Sequence, residues 1–162
     1  MEDRSGGLGG RTRAEGWHHG AMRKVLWLVG YLWAFPVTAL GLLLAMLFAR
    51  LDSVDEEYIL HFVVQPGGPL AWYVRHFHIT AFTLGAVVTY AGEDGPKKVR
   101  LVRHERAHVL QTLVFGPLFL PLYALSSLWQ LVRGRHPYHD NWFEVRARAA
   151  EVPGYRALRL VR

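Results

Sequence analysis

Residues 25–49 read VLWLVGYLWAFPVTALGLLLAMLFA, a run of 25 residues without a charge. As an α-helix rising about 1.5 Å per residue, this run is long enough to cross a hydrocarbon core of ~30 Å. Trp27, Tyr31 and Trp33 lie near its start, as aromatic side chains do when they anchor a span at the membrane interface. The run therefore predicts a transmembrane anchor, which with its basic flanks covers residues 23–50.

The charges on the two sides of this run give conflicting predictions of its orientation. Arginine and lysine precede it, and an acidic cluster follows it at Asp52, Asp55, Glu56 and Glu57. Because basic flanks stay in the cytoplasm, this asymmetry predicts a single-pass anchor in the cell membrane with an extracytoplasmic domain. Seven arginines follow residue 132, however, and the same rule places them in the cytoplasm. The second count favours two spans, or one span with a cytoplasmic domain.

The composition limits what the rest of the chain can be. Its 162 residues allow one small domain, and 19 basic against 13 acidic side chains give a formal net charge of +6. Beside a membrane anchor, this charge indicates membrane lipid as the partner and not nucleic acid. The chain has no cysteine, which excludes disulfides, iron–sulfur clusters and a cysteine nucleophile. Any metal must be held by imidazole and carboxylate groups.

The sequence divides into four segments. Residues 1–22 are rich in glycine and arginine without an apolar period, which predicts a disordered tail. After the anchor at 23–50 comes one folded domain over residues 51–152, and then a basic tail over residues 153–162. Within the domain, residues 58–92 contain β-branched and aromatic stretches separated by turn signals, which predicts a small antiparallel sheet of two to four strands. With the helices predicted after the sheet, the fold class is α+β.

Residues 104–108 read HERAH, an HExxH motif in a stretch of helical spacing. Histidines four residues apart share one face of a helix, so the imidazoles of His104 and His108 can both reach one Zn²⁺ at about 2.0–2.1 Å. Glu105 lies beside them, where it can act as the general base on a zinc-bound water. Arg106 is unusual inside such a motif and must point away from the metal.

A catalytic zinc site needs a third protein ligand and leaves its fourth position to water. Glu144 is the preferred candidate because it lies in the first turn of a second predicted helix, after a capping residue at Asp140 or Asn141. His136, His139 and Asp140 in the preceding loop are competing candidates. A glutamate in the first turn of a helix can also simply interact with the helix dipole.

The motif and the following glutamate resemble the gluzincin class of zinc metallopeptidases. Residues 22–150 also resemble small bacterial membrane-anchored proteins that pair an HExxH helix with two further segments, of GPLFLP type and PYxDNxFE type. In this chain those segments are residues 116–121 and 137–144. The resemblance implies that Glu105 is the base and that the zinc ligands are His104, His108 and Glu144.

One position departs from the gluzincin pattern. Gluzincins often carry an acidic residue four positions after the glutamate ligand, where it orients a zinc histidine. In this chain that position is Arg148. The resemblance therefore implies a different partner for the histidine, either Asp140 or a backbone carbonyl, or else an impaired site.

Residues 109–132 are uncharged and long enough to cross the bilayer a second time. A full crossing would leave Glu144 about 30 Å from the histidines, so a second span and a His₂Glu site exclude each other. Gly116-Pro117 and Pro121 interrupt the helical pattern near its middle. These breaks favour an apolar hairpin that dips into the membrane surface and returns.

Two weaker expectations concern the predicted strands. His76 and His78 alternate along one of them without a carboxylate nearby in sequence, which predicts surface or partly buried polar positions and not a second metal site. Residues 82–90 read FTLGAVVTY and come shortly before the HExxH helix. In gluzincin-like sites an edge strand at this place binds an extended peptide by β-augmentation, and residues 82–90 are the candidate.

The sequence thus predicts a membrane-anchored zinc metallopeptidase-like hydrolase that cleaves a peptide or protein substrate near the bilayer. The alternative is a non-catalytic membrane protein with a structural or vestigial metal site and an interaction role, which Arg106 and Arg148 favour. A third interpretation is a two-span membrane protein in which the HExxH pattern is accidental.

Overall fold

A computed structural model describes residues 11–153 of the chain, with side chains described from Val25 onward. The fold is α+β, as the sequence predicts. Residues 1–10 and 154–162, which belong to the two predicted tails, lie outside the described residues; the first helix begins inside the segment predicted as a tail. The elements are α1 (Arg11–Phe48), β1 (Ala49–Val54), β2 (Leu60–Val64), α2 (Pro69–His76), β3 (Ala81–Leu84), β4 (Val87–Tyr90), α3 (Val99–Phe115), a 3₁₀ turn (Gly116–Leu118), α4 (Phe119–Val132) and α5 (Trp142–Ala150).

Two helical stretches are long and apolar enough to cross a membrane, Val25–Phe48 in α1 and Val99–Val132 over α3 and α4. The first is compatible with a membrane anchor or a signal sequence. The second is sharply bent. Gly116 has a φ of +55°, and beyond it the Phe119 ring lies only 6.2 Å from the ring of His108. Because 11 residues of straight helix would cover about 16 Å, α4 folds back toward α3.

The sheet has the strand order β1-β2-β4-β3 and is mixed, which corrects the prediction of a purely antiparallel sheet. β1 pairs with β2 and β3 with β4 in antiparallel fashion, but β2 and β4 are parallel. A parallel pair needs a crossover connection, and α2 together with β3 supplies it. β4 is therefore paired on both sides, while β1 and β3 are the edges.

The crossover was missed because α2 occupies a stretch that the sequence analysis assigned to a strand. Trp72 and Tyr73 have strand propensity, but Pro69 at the first helical position starts a helix after Gly68. His76 is the last residue of this helix, and His78 follows it in the left-handed region with a φ of 53°. The two histidines therefore do not share a strand face, and the strand assignment was wrong. Both side chains are exposed, as predicted for polar surface positions.

The sheet is covered on both faces, and each face has its own partner helix. Val63, Val88 and Tyr90 form one apolar cluster with Val109 of α3. The alternate strand residues Phe62 and Val87 form another cluster with Ala45 near the end of α1 and Ala49 at the start of β1. The HExxH segment lies on the α3 side of the sheet. Beyond the sheet α1 and α3 touch directly, because a Cβ added at Gly30 would lie 3.3 Å from the Leu113 Cβ.

α1 packs closely on the domain through small residues. Gly41 touches the backbone of β3, because a Cβ added there would lie 2.5 Å from the Leu84 carbonyl oxygen. Gly85 has a φ of +65° in the β3–β4 turn, and a Cβ there would lie 2.5 Å or less from Thr38. Thr38 also accepts a hydrogen bond from the Ala86 N–H at 3.1 Å. The helix predicted as a transmembrane anchor therefore packs along the domain and is an integral part of the fold.

Candidate metal centre

Three side chains from two helices meet at one point. His104 and His108 lie one turn apart on α3, and their Nε2 atoms are 3.2 Å apart. Glu144 approaches from the first turn of α5, with Oε2 3.3 Å from His104 Nε2 and Oε1 3.2 Å from His108 Nε2. All three residues are buried, and their ligand atoms lie within 4.8 Å of one another. The group can therefore hold a metal ion.

The start of α5 is fixed by its capping residue. Asn141 Oδ1 accepts a hydrogen bond from the Phe143 N–H at 2.9 Å. Its amide nitrogen donates to the Tyr123 carbonyl at 3.0 Å and to Ser127 Oγ at 2.7 Å, both on α4. Asn141 is fully buried, so the cap ties the first turn of α5 to α4. Of the two capping residues that the sequence left open, the structure uses Asn141 and not Asp140.

Further contacts orient the metal-facing side chains. The Tyr123 hydroxyl donates to Glu144 Oε1 at 2.8 Å. His108 Nδ1 lies 2.8 Å from Gln111 Oε1, and the Gln111 amide nitrogen donates to the Phe143 carbonyl at 3.0 Å. A hydrogen-bond acceptor at Nδ1 favours the tautomer that leaves Nε2 free to bind a metal. These contacts also link α3, α4 and α5 around the centre.

The orienting partner of His104 is a residue that the sequence analysis did not consider. Glu151 Oε1 lies 3.2 Å from His104 Nδ1 and occupies the place that the resemblance left to Asp140 or a backbone carbonyl. Asp140 instead accepts a hydrogen bond from the His136 N–H. Glu151 follows Glu144 by seven residues, which is two helical turns, so it returns to the same side of the helix. This spacing is the sequence signal that could have identified it.

The Glu105 side chain points toward β3, which is an edge strand of the sheet. Its Oε2 accepts a hydrogen bond from Thr83 Oγ1 at 2.8 Å, and the residue is only 3% exposed. Burial raises the pKa of Glu105, although both histidines and the Thr83 hydrogen bond oppose the shift. A carboxylate with a raised pKa is a better proton acceptor than an exposed one, as a general base requires.

The electrostatics of the centre favour an ionised glutamate. Burial opposes the charge of Glu144, but hydrogen bonds from His104 and His108 outweigh it and hold the pKa of Glu144 well below its usual range. Burial also opposes a charged His104, yet the hydrogen bond to Glu144 and the nearby charge of Glu105 raise the pKa of His104 overall. An anionic carboxylate is thus ready to coordinate a cation at neutral pH.

The competing ligand candidates in the loop before α5 do not join this group. His136 Nδ1 accepts hydrogen bonds from the N–H groups of Tyr138 and His139, at 3.2 and 3.0 Å. Asp140 closes the same turn by accepting from the His136 N–H at 2.9 Å. These side chains form hydrogen bonds within the loop. Among the described residues, Glu144 is the one that lies with the two histidines.

The two arginines that counted against a working site have different surroundings. Arg106 points away from the histidines and forms an ion pair with Glu57. Arg148 instead lies beside the centre, with Nη1 3.7 Å from Glu144 Oε2, while its Nη2 donates to the His139 carbonyl. The Nη1 atom is buried and has no hydrogen-bond partner among the described residues. Arg148 thus directs a free donor toward the centre.

A cleft of about 570 Å³ opens beside the metal-facing group. Its walls come from α3, the segment that leads into β3, the loop before α5, and α5 itself. The lining includes Glu105, Thr80, Ala81, Tyr138, Arg148 and Glu151. The cleft is large enough for a few residues of an extended peptide, and both Glu105 and Arg148 line it.

No protein-family model, curated protein or solved structure matches this chain. Two imidazole nitrogens and a carboxylate converge, a second carboxylate lies beside them, and a cleft gives access. This arrangement can bind a divalent cation and leave one coordination position open.

Proposed function

We propose that the protein is a membrane-anchored zinc-dependent metallopeptidase-like hydrolase that cleaves peptide bonds next to the bilayer. The observation that carries the proposal is the convergence of His104, His108 and Glu144 in one buried group. Glu105 and the cleft beside that group supply a base and room for a substrate. Each feature alone is common, but a structural metal site needs neither the base nor the access.

The donor set suits zinc. Two imidazoles and one carboxylate are the ligands of catalytic zinc in several hydrolases, where the fourth position takes water. The acceptors found at both histidine Nδ1 atoms, Glu151 and Gln111, orient the rings for coordination through Nε2. When bound, zinc lowers the pKa of its water toward ~7 and polarises a substrate carbonyl.

The chain's own residues supply the remaining steps. Glu105 accepts the proton of the attacking water as its oxygen bonds to the carbonyl carbon. Arg148 donates from Nη1 to the carbonyl oxygen as negative charge develops there. Glu105 then passes the proton to the amine nitrogen while the C–N bond breaks. Carboxylate and amine products leave through the cleft.

The substrate-binding strand proposed from the sequence needs a correction. Residues 82–90 comprise two strands, and β4 within them cannot accept a peptide because it is paired on both sides. β3 is an edge strand, and Thr83 on it contacts Glu105. We therefore place the extended substrate along β3 and the cleft-lining Thr80 and Ala81 that precede and begin it.

A second candidate function is a non-catalytic protein with a structural metal. The deep burial of Glu105, at 3% exposure, favours this candidate because an inaccessible base cannot serve a substrate. Under this alternative the metal would link α3 to α5 and stabilise the domain. Both candidate functions predict one metal ion per chain, but only the hydrolase predicts cleavage of peptides.

The test compares Glu105→Gln with the wild-type chain. Metal analysis of purified protein should give one zinc per chain for both, because Glu105 is not a ligand. Only the wild type should cleave members of a pooled peptide library, detected by mass spectrometry. Glu93→Gln is the matched control, since Glu93 is exposed and pairs with Arg50 at 2.7 Å. Equal cleavage by Glu105→Gln would contradict the enzymatic role; zinc without any cleavage would favour the structural one.

A further inference from the structure

We propose that α1 does not cross the membrane but lies in its plane, with its outer face in the hydrocarbon and the whole chain on the cytoplasmic side. This inference goes beyond the hydrolase proposal and does not depend on it. It concerns which surface of the domain the bilayer covers, and it replaces the single-pass topology that the sequence favours.

The domain covers most of the apolar length of α1. Buried residues follow one face of the helix at Gly30, Ala34, Val37, Gly41 and Ala45. This stripe is about 22 Å long, which is most of a ~30 Å hydrocarbon core. A crossing α1 would therefore carry the sheet and α3 into the hydrocarbon beside it.

The strand that would accompany a crossing α1 into the membrane is polar and has an unpaired edge. β1 begins directly after α1, and the turn that follows it returns to α1, where Tyr31 donates its hydroxyl hydrogen to the Glu57 carbonyl. β1 therefore runs back along the same stretch of helix. It is an edge strand, and Arg50, Asp52 and Ser53 on it are exposed. Unpaired strand edges do not occur in contact with lipid tails, and charged side chains there are costly and rare.

The part of the apolar run that lies before the domain contacts cannot form a span by itself. Only residues 25–29 precede the buried stripe that starts at Gly30. Five residues of helix cover less than ~10 Å, about a third of the hydrocarbon thickness. Residues 25–29 are thus too short to cross the membrane, and the stretch of α1 from Gly30 onward cannot cross it because it is packed on the sheet.

The outer face of α1 fits a membrane. Opposite the buried stripe the helix presents a row of apolar side chains, each more than half exposed: Val25, Val29, Leu32, Leu43 and Leu47. An in-plane helix buries such a face about 5–10 Å into the lipid boundary. The opposite face of α1, which would face water in an isolated in-plane helix, packs against the domain instead. The 3₁₀ turn that leads into α4 lies beside Trp33 of α1, at Gly116. α4 adds further exposed apolar residues, including Leu125, Leu128 and Leu131.

Positive charges at the rim of this surface complement anionic lipid headgroups. Arg133 stacks on Trp129 at 4.5 Å, and Arg146 stacks on Trp142 at 4.6 Å. The two pairs belong to adjoining helices, since the Trp142 N–H donates to Ser126 of α4. Exposed tryptophan beside arginine is typical of the interface between hydrocarbon and headgroups.

The in-plane arrangement also resolves the conflict between the charges of the two flanks. Arg4, Arg11, Arg13, Arg23 and Lys24 precede the apolar run, and seven arginines follow residue 132. With a single crossing, one of these groups must lie outside the cytoplasm, against the positive-inside rule. When α1 does not cross, both groups lie on the cytoplasmic side.

The test uses single cysteines, because the chain has none of its own. Ser5→Cys precedes α1, and Ser53→Cys is exposed on β1. Both should react with a membrane-impermeant maleimide in inside-out vesicles and neither should react in intact spheroplasts. Reaction of the two cysteines from opposite sides would overturn the proposal, and so would reaction of both from outside.

A depth measurement provides an independent readout. Spin labels at Val25, Leu40 and Leu47 in full-length protein, reconstituted with phosphatidylethanolamine and phosphatidylglycerol, should show equal depths by their accessibility to oxygen and to a water-soluble nickel complex. A crossing helix would instead place Leu40 much deeper than the two ends.

Two further outcomes would also overturn the proposal. If the apolar face binds a second copy of the chain, purified protein will form a dimer and remain in the supernatant when such vesicles are sedimented. If the face binds lipid, Leu43→Asp should lower the vesicle-bound fraction while Ser53→Asp leaves it unchanged. Equal binding of the two variants would show that the outer face of α1 is not the membrane contact.

Discussion

The two faces of the sheet have opposite characters, although the strand residues on them alternate along the same strands. On the α1 side, small and apolar residues such as Gly41, Ala45 and Phe62 pack closely, and almost no titratable group takes part. On the α3 side, an apolar cluster gives way to His104, Glu105 and the other groups of the metal centre. One face of the sheet thus serves close packing with α1, and the other supports the helix that carries the metal-facing side chains.

The comparison also shows how each face tolerates change. Close packing of glycine on backbone leaves no room for an added atom, so the α1 side should fail by steric strain. The α3 side depends on specific donors and acceptors, so it should fail by loss of metal or of activity while the fold remains. Substitutions on the two faces should therefore separate stability from function.

The largest effect is expected from removal of a ligand. His108→Ala should abolish stoichiometric zinc, because the remaining two ligands cannot hold the ion, and weaken zinc binding by far more than the ~10–100-fold loss typical of an orienting partner. Metal analysis and zinc titration measure this. His139→Ala is the control, because His139 lies in the adjoining loop outside the ligand group. Zinc retained by His108→Ala would show that the HExxH pattern is accidental.

A strong effect on stability alone is expected from Gly85→Ala on the α1 side. The residue has a positive φ, and the new Cβ would lie within 2.5 Å of Thr38, so we expect a loss of about 3 kcal/mol in the free energy of unfolding. Thermal unfolding in detergent, compared with Gly92→Ala, measures this, because a Cβ at Gly92 meets nothing within 4 Å. Zinc binding by the folded fraction should be unchanged. Equal unfolding temperatures for the two variants would contradict the close packing of α1 on the sheet.

Removal of the free arginine donor should impair catalysis without loss of metal. Arg148→Ala is expected to lower kcat/KM by about 100-fold, mainly in kcat, because its donor acts on the developing oxyanion. Arg146→Ala is the matched control, since Arg146 lies on the same helix and stacks on Trp142. Kinetics on a peptide found in the library screen measure both. An increase in KM alone would assign Arg148 to substrate binding.

The smallest effect is expected from the orienting carboxylate. Glu151→Gln keeps the shape of the side chain but weakens its contact with His104 Nδ1, so zinc affinity should fall by about 10-fold. Competition with a zinc-binding dye measures this change. Unchanged affinity would indicate that the contact does not orient the ring when metal is bound.

The residues predicted from sequence were those whose signal is local. The charge-free run in α1, the i, i+4 histidines and the glutamate after a helix cap each depend on a short stretch of chain. The α2 helix was missed because Trp72 and Tyr73 have strand propensity, and Pro69 as a helix start competes with its use in a turn. Glu151 was missed because the gluzincin pattern points to position 148, although a spacing of seven residues returns to the same helix face.

The sequence by itself determined the chemistry available to this protein. Without cysteine and with an HExxH segment, the chain could bind a metal only through imidazole and carboxylate groups, and its long charge-free run predicted an apolar helix. Only the tertiary structure decided that Glu144 joins the histidines, that β2 and β4 run parallel, and that α1 packs along the sheet. These outcomes depend on contacts between residues far apart in the chain. Local propensity and spacing carry no information about such contacts, because burial and backbone pairing arise only when the elements pack together.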